Sequence, residues 1–143
     1  MFIGEFRHTI DPKKRLAIPS KFRAHLGERA VLTRGIDNCL ILYPLEEWEK
    51  IAEKLSNLPV SKGDARGFAR IMLAGATDVE LDRLGRILVP DYLKAYGMFE
   101  RNVVVIGLYN RIEIWGAERW DDYQKNIEKE VGNMAERLNE LGI

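Results

Sequence analysis

The stretch "DPKKRLAIPSKFRAHLG", residues 11–27, decides the organisation of this chain, because the sequence contains it twice. Its counterpart is "DRLGRILVPDYLKAYG", residues 82–97; both run from Asp over three residues to Arg, then through a short apolar run to Pro. An offset of 71 residues aligns the two Asp-x-x-x-Arg motifs, and with one added residue the match continues to Trp48 and Trp120. Self-similarity of this length indicates a tandem duplication.

Each copy is predicted to fold as a β-β-α-β-β-α unit. An alternating strand precedes the motif, the residues between Asp and Arg form a tight turn, and a second strand follows. Pro19 and Pro90 then open short helices, which Gly27 and Gly97 end. Two further strands and a longer helix complete each unit.

The two units are expected to share one core. A unit of about 60 residues buries little by itself, so we expect a single domain over residues 1–143, with the halves related by a pseudo-twofold axis. The repeats are assigned to residues 1–55 and 76–125, and a linker with one extra helix to residues 56–75. That helix is expected to face inward through Phe68, Ile71 and Met72.

The chain is predicted to be helical over residues 117–141, where apolar residues seven apart approach a heptad seam. This helix either packs on its own domain or contacts another subunit.

The composition is typical of an ordered, soluble protein, with 46% hydrophobic and 31% charged residues. No apolar run approaches the roughly 20 residues of a membrane helix, and the N-terminus turns polar too soon for a signal peptide, so a cytoplasmic location is expected. Cys39 lies in an apolar run and is expected to be a buried, unreactive side chain. His8 and His25 have no further ligands at suitable spacing, so neither a metal nor a cofactor is expected.

Positive charge is concentrated around the first motif. The formal net charge is zero, but residues 1–71 carry 13 Lys and Arg against 9 Asp and Glu, and residues 72–143 carry 9 against 13. The first turn reads Pro-Lys-Lys between Asp and Arg, whereas the second reads Arg-Leu-Gly among acidic neighbours. The cations in and near the two motifs are Arg7, Lys13, Lys14, Arg15, Arg83 and Arg86, and they are the candidate contacts to an anionic partner such as DNA.

Three interpretations of the motif remain open. It can be a structural turn, in which Asp accepts hydrogen bonds from nearby backbone N–H groups and Arg pairs with Asp. It can bring Asp11 and Asp82 together as an acid dyad, but the neighbouring Pro12 and Arg83 suit such a site poorly, and no enzyme is expected. It can also bind nucleic acid, because clustered cations bind phosphates and an arginine fork can bond guanine in the major groove. The lack of an aromatic ladder favours a duplex over a single strand.

Four stretches together resemble a known family: "GEFRHTIDPKKRLAIPSKFR", "CLILYPLEEWEKI", "DRLGRILVPDYL" and "RIEIWGAERW". They are similar to the MraZ proteins, bacterial transcriptional regulators of the SpoVT-AbrB class, over nearly the whole chain. The resemblance implies a swapped-hairpin β-barrel with peripheral helices and a homo-oligomeric ring, commonly of eight subunits. It also implies binding to short direct DNA repeats upstream of the division and cell-wall gene cluster, in association with the nucleoid, without a small-molecule substrate. The DNA-contacting element would be Asp11 to Arg15, with Asp82 to Arg86 as its duplicate.

One position departs from the family pattern. A glycine usually precedes the motif arginine, as Gly85 does, but the first copy has Lys14. If this position requires a positive φ, a lysine costs about 1 kcal/mol relative to glycine. Either the first turn has another shape, or the added cation compensates at the DNA surface. We expect the first turn to supply most phosphate contacts and the second mainly to complete the barrel; the alternative function is an AbrB-like module that binds an acidic protein instead of DNA.

Overall fold

Strands are exchanged between the two halves of the chain in the computed structural model, which describes residues 1–142. The strands are β1 (Phe2–Thr9), β2 (Arg15–Ala17), β3 (Arg29–Arg34), β4 (Leu40–Pro44), β5 (Thr77–Glu80), β6 (Arg86–Leu88), β7 (Asn102–Tyr109) and β8 (Ile112–Gly116). The helices are α1 (Ser20–Leu26), α2 (Leu45–Ser56), α3 (Gly63–Ala69), α4 (Asp91–Tyr96) and α5 (Ala117–Arg137). A π-helical segment, Arg70–Ala74, continues α3, and a 3₁₀ turn, Asn139–Leu141, follows α5.

Six strands form one antiparallel sheet in the order β1-β7-β8-β4-β3-β5, and β2 pairs with β6 in a separate ribbon. The first strand of each half lies beside a strand of the other half, since β1 pairs with β7 and β5 pairs with β3. In the ribbon, Leu16 of the first half lies opposite Ile87 of the second. These exchanged pairs join the halves, and the α+β class is confirmed.

The expectation of a closed barrel is wrong. β1 and β5 are the outer strands of an open sheet, and the two strands that follow the motif turns pair with each other outside it. Each motif turn redirects the chain away from the sheet, and an isolated bridge between Ile10 and Leu16 connects the end of β1 to β2. The sheet therefore stays open because the segments that would close it form the ribbon.

The main hydrophobic core lies between the inner face of the sheet, the ribbon and the two short helices α1 and α4. Phe22 of α1 meets the rings of Phe2 and Phe6 edge to face, with centroids 5.5 and 5.2 Å apart. This geometry places the positive edge of one ring against the negative face of the other. Fully burying a side chain of this kind contributes roughly 1.5–3 kcal/mol, so these rings anchor β1 and α1 to each other.

Two smaller clusters cover the outer face of the sheet. The first turns of α5 pack on β7 and β8, where Trp120 lies against Trp115. On the β4 side, α2 and the π-helical segment bury Met72. The expectation that Phe68 and Ile71 also face inward is wrong, since they are 43% and 45% exposed. The π-helical segment has a wider turn than an α-helix, which changes the side chains that it directs at the sheet. No helix within residues 1–142 is long and apolar enough to cross a bilayer.

Candidate nucleic-acid interface

The two Asp-x-x-x-Arg turns flank the β2–β6 ribbon and are bonded to it crosswise. The Ile18 N–H donates to the carbonyl of Gly85 at 2.9 Å, and the Val89 N–H donates to the carbonyl of Lys14 at 2.8 Å. Each turn is thereby attached to the strand that follows the other turn. We call this unit, residues 11–17 and 82–88, the ribbon surface.

Asp11 organises the first turn. Its Oδ1 accepts hydrogen bonds from the backbone N–H groups of Lys13 and Arg15, both at 2.9 Å, and its Oδ2 accepts one from the Arg15 Nε at 2.8 Å. The Lys14 N–H closes the turn by donating to the Asp11 carbonyl at 2.9 Å. These donors, above all the Arg15 backbone N–H, hold the pKa of Asp11 below its usual value. The carboxylate is therefore ionised and committed to the turn.

Asp82 organises the second turn through the same bonds. Its Oδ1 accepts from the backbone N–H groups of Leu84 and Arg86 at 2.9 and 2.8 Å, and its Oδ2 accepts from the Arg86 Nε at 2.7 Å. The pKa of Asp82 is lowered mainly by the Arg86 backbone N–H. Gly85 has a φ of 74° and Lys14 a φ of 66°, so the two turns have the same shape. The lysine adopts the left-handed conformation without a change of turn type.

The surroundings explain why one half has lysine at this position and the other has glycine. The Lys14 Nζ reaches across to α4 and donates to the Asp91 Oδ2 at 2.8 Å. At Gly85, a Cβ would overlap the guanidinium of Arg23, which lies on α1. Arg23 is held there because its Nε donates to the Ile18 carbonyl at 2.8 Å. The first turn therefore extends its cation, Lys14, toward α4. At the second turn the direction is reversed, because α1 extends its cation, Arg23, toward Gly85.

The ribbon surface gathers five of the six candidate cations. Lys13 and Arg83 are exposed and take part in no ion pair within residues 1–142. Lys14, Arg15 and Arg86 each pair with a carboxylate, so the surface has fewer unpaired cations than the sequence alone indicates. The Arg15 and Arg86 side chains remain 33% and 27% exposed.

Arg7, the sixth candidate, lies apart from the ribbon surface. It belongs to β1, and its Nη2 is 2.7 Å from the Asp121 Oδ1 of α5 and 3.4 Å from the Glu5 Oε1. The pKa of Asp121 is lowered chiefly by this hydrogen bond. The contact joins the N-terminal strand to the C-terminal helix, and a role of Arg7 at DNA stays a prediction.

Two residues at the site, Asp91 and Arg23, escaped prediction from the sequence. The signal was available in the repeat, since the offset of 71 aligns Asp91 with Ser20 and Arg23 with Lys94. Asp91 is the first residue of α4, the helix that faces the first turn with its additional lysine, Lys14. Comparing each turn with the helix of the opposite half, rather than its own, would have identified the pair.

Comparison with known proteins shows the family of the chain. Residues 1–71 and 72–141 each match the family described as "MraZ protein, putative antitoxin-like". The chain is 48% identical over 143 residues to the transcriptional regulator MraZ of Natranaerobius thermophilus and 49% identical over 143 residues to that of Thermoanaerobacter pseudethanolicus, covering 100% of both chains in each case. The same protein of Caldanaerobacter subterraneus subsp. tengcongensis is 48% identical over the same coverage. With two copies of the family domain and relatives of this similarity along its full length, the chain belongs to the MraZ family.

Proposed function

We propose that this chain is a transcriptional regulator that binds double-stranded DNA through the ribbon surface. The full-length similarity to proteins named transcriptional regulators supports the role. The observation that carries the proposed mode of binding is that two turns of the same shape bring five cations together on one short ribbon. Such a protein would work in the cytoplasm in association with the nucleoid.

The two kinds of cation would have different tasks. Lys13 and Arg83 are exposed and would contact phosphates, which gives affinity without sequence selection. Arg15 and Arg86 are each held by a carboxylate through Nε, and within residues 1–142 their Nη groups make no hydrogen bond. A guanidinium held in place loses less conformational entropy on binding, and its remaining donors suit O6 and N7 of guanine.

Assembly would compensate for the small charge of one copy. One ribbon surface should bind DNA weakly, because three nearby carboxylates offset its five cations and the chain has zero net charge. Several ribbons on a rigid ring that face regularly spaced sites gain affinity through effective concentration. We propose a homo-oligomeric ring, with eight subunits as the family resemblance implies, on short direct repeats upstream of the division and cell-wall gene cluster.

A fluorescence-anisotropy titration tests DNA binding. A labelled duplex carrying the DNA upstream of the chain's own gene is titrated at several salt concentrations. Binding should weaken with salt, and Lys13→Ala should reduce the slope of log K against log salt by about one. Lys62→Ala is the matched control, because Lys62 is exposed but lies in the linker before α3. Absence of binding to any duplex at low salt would refute the proposal.

The roles of the two turns are separable by mobility shift. We propose that the first turn supplies most of the DNA contact, to phosphates and bases alike, so Arg15→Ala should weaken binding more than Arg86→Ala. Each change also leaves a motif carboxylate without its arginine, so circular dichroism must first show that both variants are folded. Equal losses of affinity in two folded variants would contradict the asymmetry.

A protein-binding module is the second candidate. The family description contains the term "antitoxin-like", and the small net positive charge of the ribbon surface would also suit an acidic protein. The same salt titration separates the candidates, because this module would leave the duplex unbound. Arg15 and Arg86 would then act as turn-forming residues that hold Asp11 and Asp82 in the two turns.

A further inference from the structure

The C-terminal half of α5 and the 3₁₀ turn that follows it carry an apolar stripe without a partner in the described part of their own chain. The stripe consists of Ile127, Val131, Met134, Leu138 and Leu141, spaced alternately four and three residues apart. Val131, Leu138 and Leu141 are exposed by 58%, 45% and 75%. Apart from the backbone bonds of the helix itself, no hydrogen bond or ion pair connects residues 125–142 to the preceding part of the described chain. This spacing is typical of a helix that buries one face against a partner.

A groove of matching chemistry lies on the outer face of the sheet. It has a volume of about 320 Å³ and runs beside α2 and the π-helical segment over β4. Its apolar lining includes Ile36, Ile41, Tyr43, Leu55, Phe68 and Met72. Ile36 and Phe68 stand exposed at its rim, although both are large apolar side chains. The exposed Phe68, which the sequence placed inside, belongs to this groove.

The helix of the same chain cannot fill the groove. α5 starts at Ala117, directly after β8, and its first turns are fixed to the sheet by the cluster of Trp115 and Trp120. Its 21 residues form a rod about 31 Å long that continues through Gly132 without a break. A straight helix that leaves the sheet at one end cannot return its other end to that sheet. The occupant must come from outside the chain.

Charge identifies a second copy as a fitting occupant. The end of the helix is acidic, with four carboxylates, Glu128, Glu130, Glu136 and Glu140, against the cations Lys129 and Arg137. The charged residues that line the groove are Lys54, Arg111 and Glu113, so its lining has a net positive charge; the Glu113 Oε1 accepts a hydrogen bond from the Trp115 Nε1 at 2.9 Å. The negative end of the helix dipole adds to this match.

We infer that the C-terminal half of α5 of one copy docks into the groove of the next copy. The contact would be a helix-in-groove interface, in which the stripe enters the apolar lining and the acidic flanks meet Lys54 and Arg111. Stripe and groove are different surfaces, so each subunit gives one helix and receives one. Such heterologous contacts close into rings or continue as filaments, and the contact therefore deepens the self-association proposed above.

Cross-linking with a short-spacer bismaleimide tests the contact. Leu138→Cys and Phe68→Cys are made as single variants, and the native Cys39 can stay because it is buried. A mixture of the two single variants, after subunit exchange, should cross-link into dimers, and the double variant should give a ladder of linked subunits. Each single variant alone should give no linked dimer.

Other cross-linking patterns would overturn the inference. Linked dimers of Leu138→Cys alone would show that two α5 helices pair with each other. An internal cross-link in the double variant, without an increase in mass, would show that the helix reaches its own groove. A monomer by sedimentation at the concentration used would also overturn it.

A charge placed on the stripe gives an independent measurement. Val131→Glu should weaken self-association about tenfold or more, because it buries an unpaired carboxylate in an apolar contact. Asn133→Glu adds the same charge at an exposed position off the stripe, and it should leave the assembly intact. Equal effects of both changes would contradict the docking.

Fluorescence anisotropy with a labelled duplex, measured on the same samples, separates the docking from the proposed function. Assembly without DNA binding would refute the proposed function alone. DNA binding together with another cross-linking pattern would refute the docking alone.

Discussion

Gly85→Ala tests whether this glycine is required by its backbone conformation and by the neighbouring Arg23 together. A φ of 74° costs an L-residue about 1 kcal/mol relative to glycine. The new Cβ would also overlap the Arg23 guanidinium, so this side chain must move and lose its hydrogen bond to the Ile18 carbonyl. That bond contributes about 1 kcal/mol, and the free energy of unfolding should therefore fall by about 2 kcal/mol.

Urea denaturation at one fixed protein concentration measures this change, because the proposed self-association would stabilise the folded state by mass action. Lys14→Ala is the matched control at the same position of the first turn. Its backbone already carries a Cβ at a positive φ, and it loses only an exposed ion pair, so the free energy of unfolding should change by less than about 0.5 kcal/mol.

A double-mutant cycle separates the two contributions. In an Arg23→Ala background, Gly85→Ala should cost only the backbone strain, about 1 kcal/mol, which gives a coupling energy of about 1 kcal/mol between the two sites. Strict additivity of the two changes would show that Arg23 does not limit this position. A Gly85→Ala variant within about 0.5 kcal/mol of the native chain would refute the whole explanation.

Three further outcomes are expected. Gly107→Ala should lower the urea midpoint and reduce the free energy of unfolding by about 3 kcal/mol, because its Cβ would lie 2.5 Å from the backbone of β1. Gly132→Ala should instead stabilise α5 by about 0.5–1 kcal/mol, because a Cβ at this position meets open space. Equal effects of the two changes would contradict this packing. Burial raises the pKa of the Cys39 thiol to about 12, so a thiol reagent at pH 8 should label it only at the rate of unfolding, and immediate labelling of the folded protein would be inconsistent with this burial. Because the pKa of Asp11 is lowered in the folded state, its stabilising contribution is present above the ordinary aspartate pKa and is lost as the pH falls through the folded value. The unfolding free energy of Asp11→Asn should therefore fall less steeply on acidification, and parallel pH profiles would speak against the turn described for this carboxylate.

The local structure around the motifs follows from the sequence. The short helices α1 and α4 occupy the predicted residues, because proline and glycine act on the backbone at their own positions. The two Asp-centred turns were also open to prediction, since Asp11 and Asp82 bond to backbone groups at most four residues away. Interactions of this range depend on residue type and spacing alone.

Only the tertiary structure decided how these units meet. The sheet is open and β2 and β6 pair with each other outside it, and the way α3 packs leaves Phe68 43% exposed. The contacts Lys14–Asp91 and Arg23–Gly85 join residues more than 60 positions apart. Their partners are chosen by strand register and by the volume left between packed helices, and both quantities exist only once the halves have folded on each other.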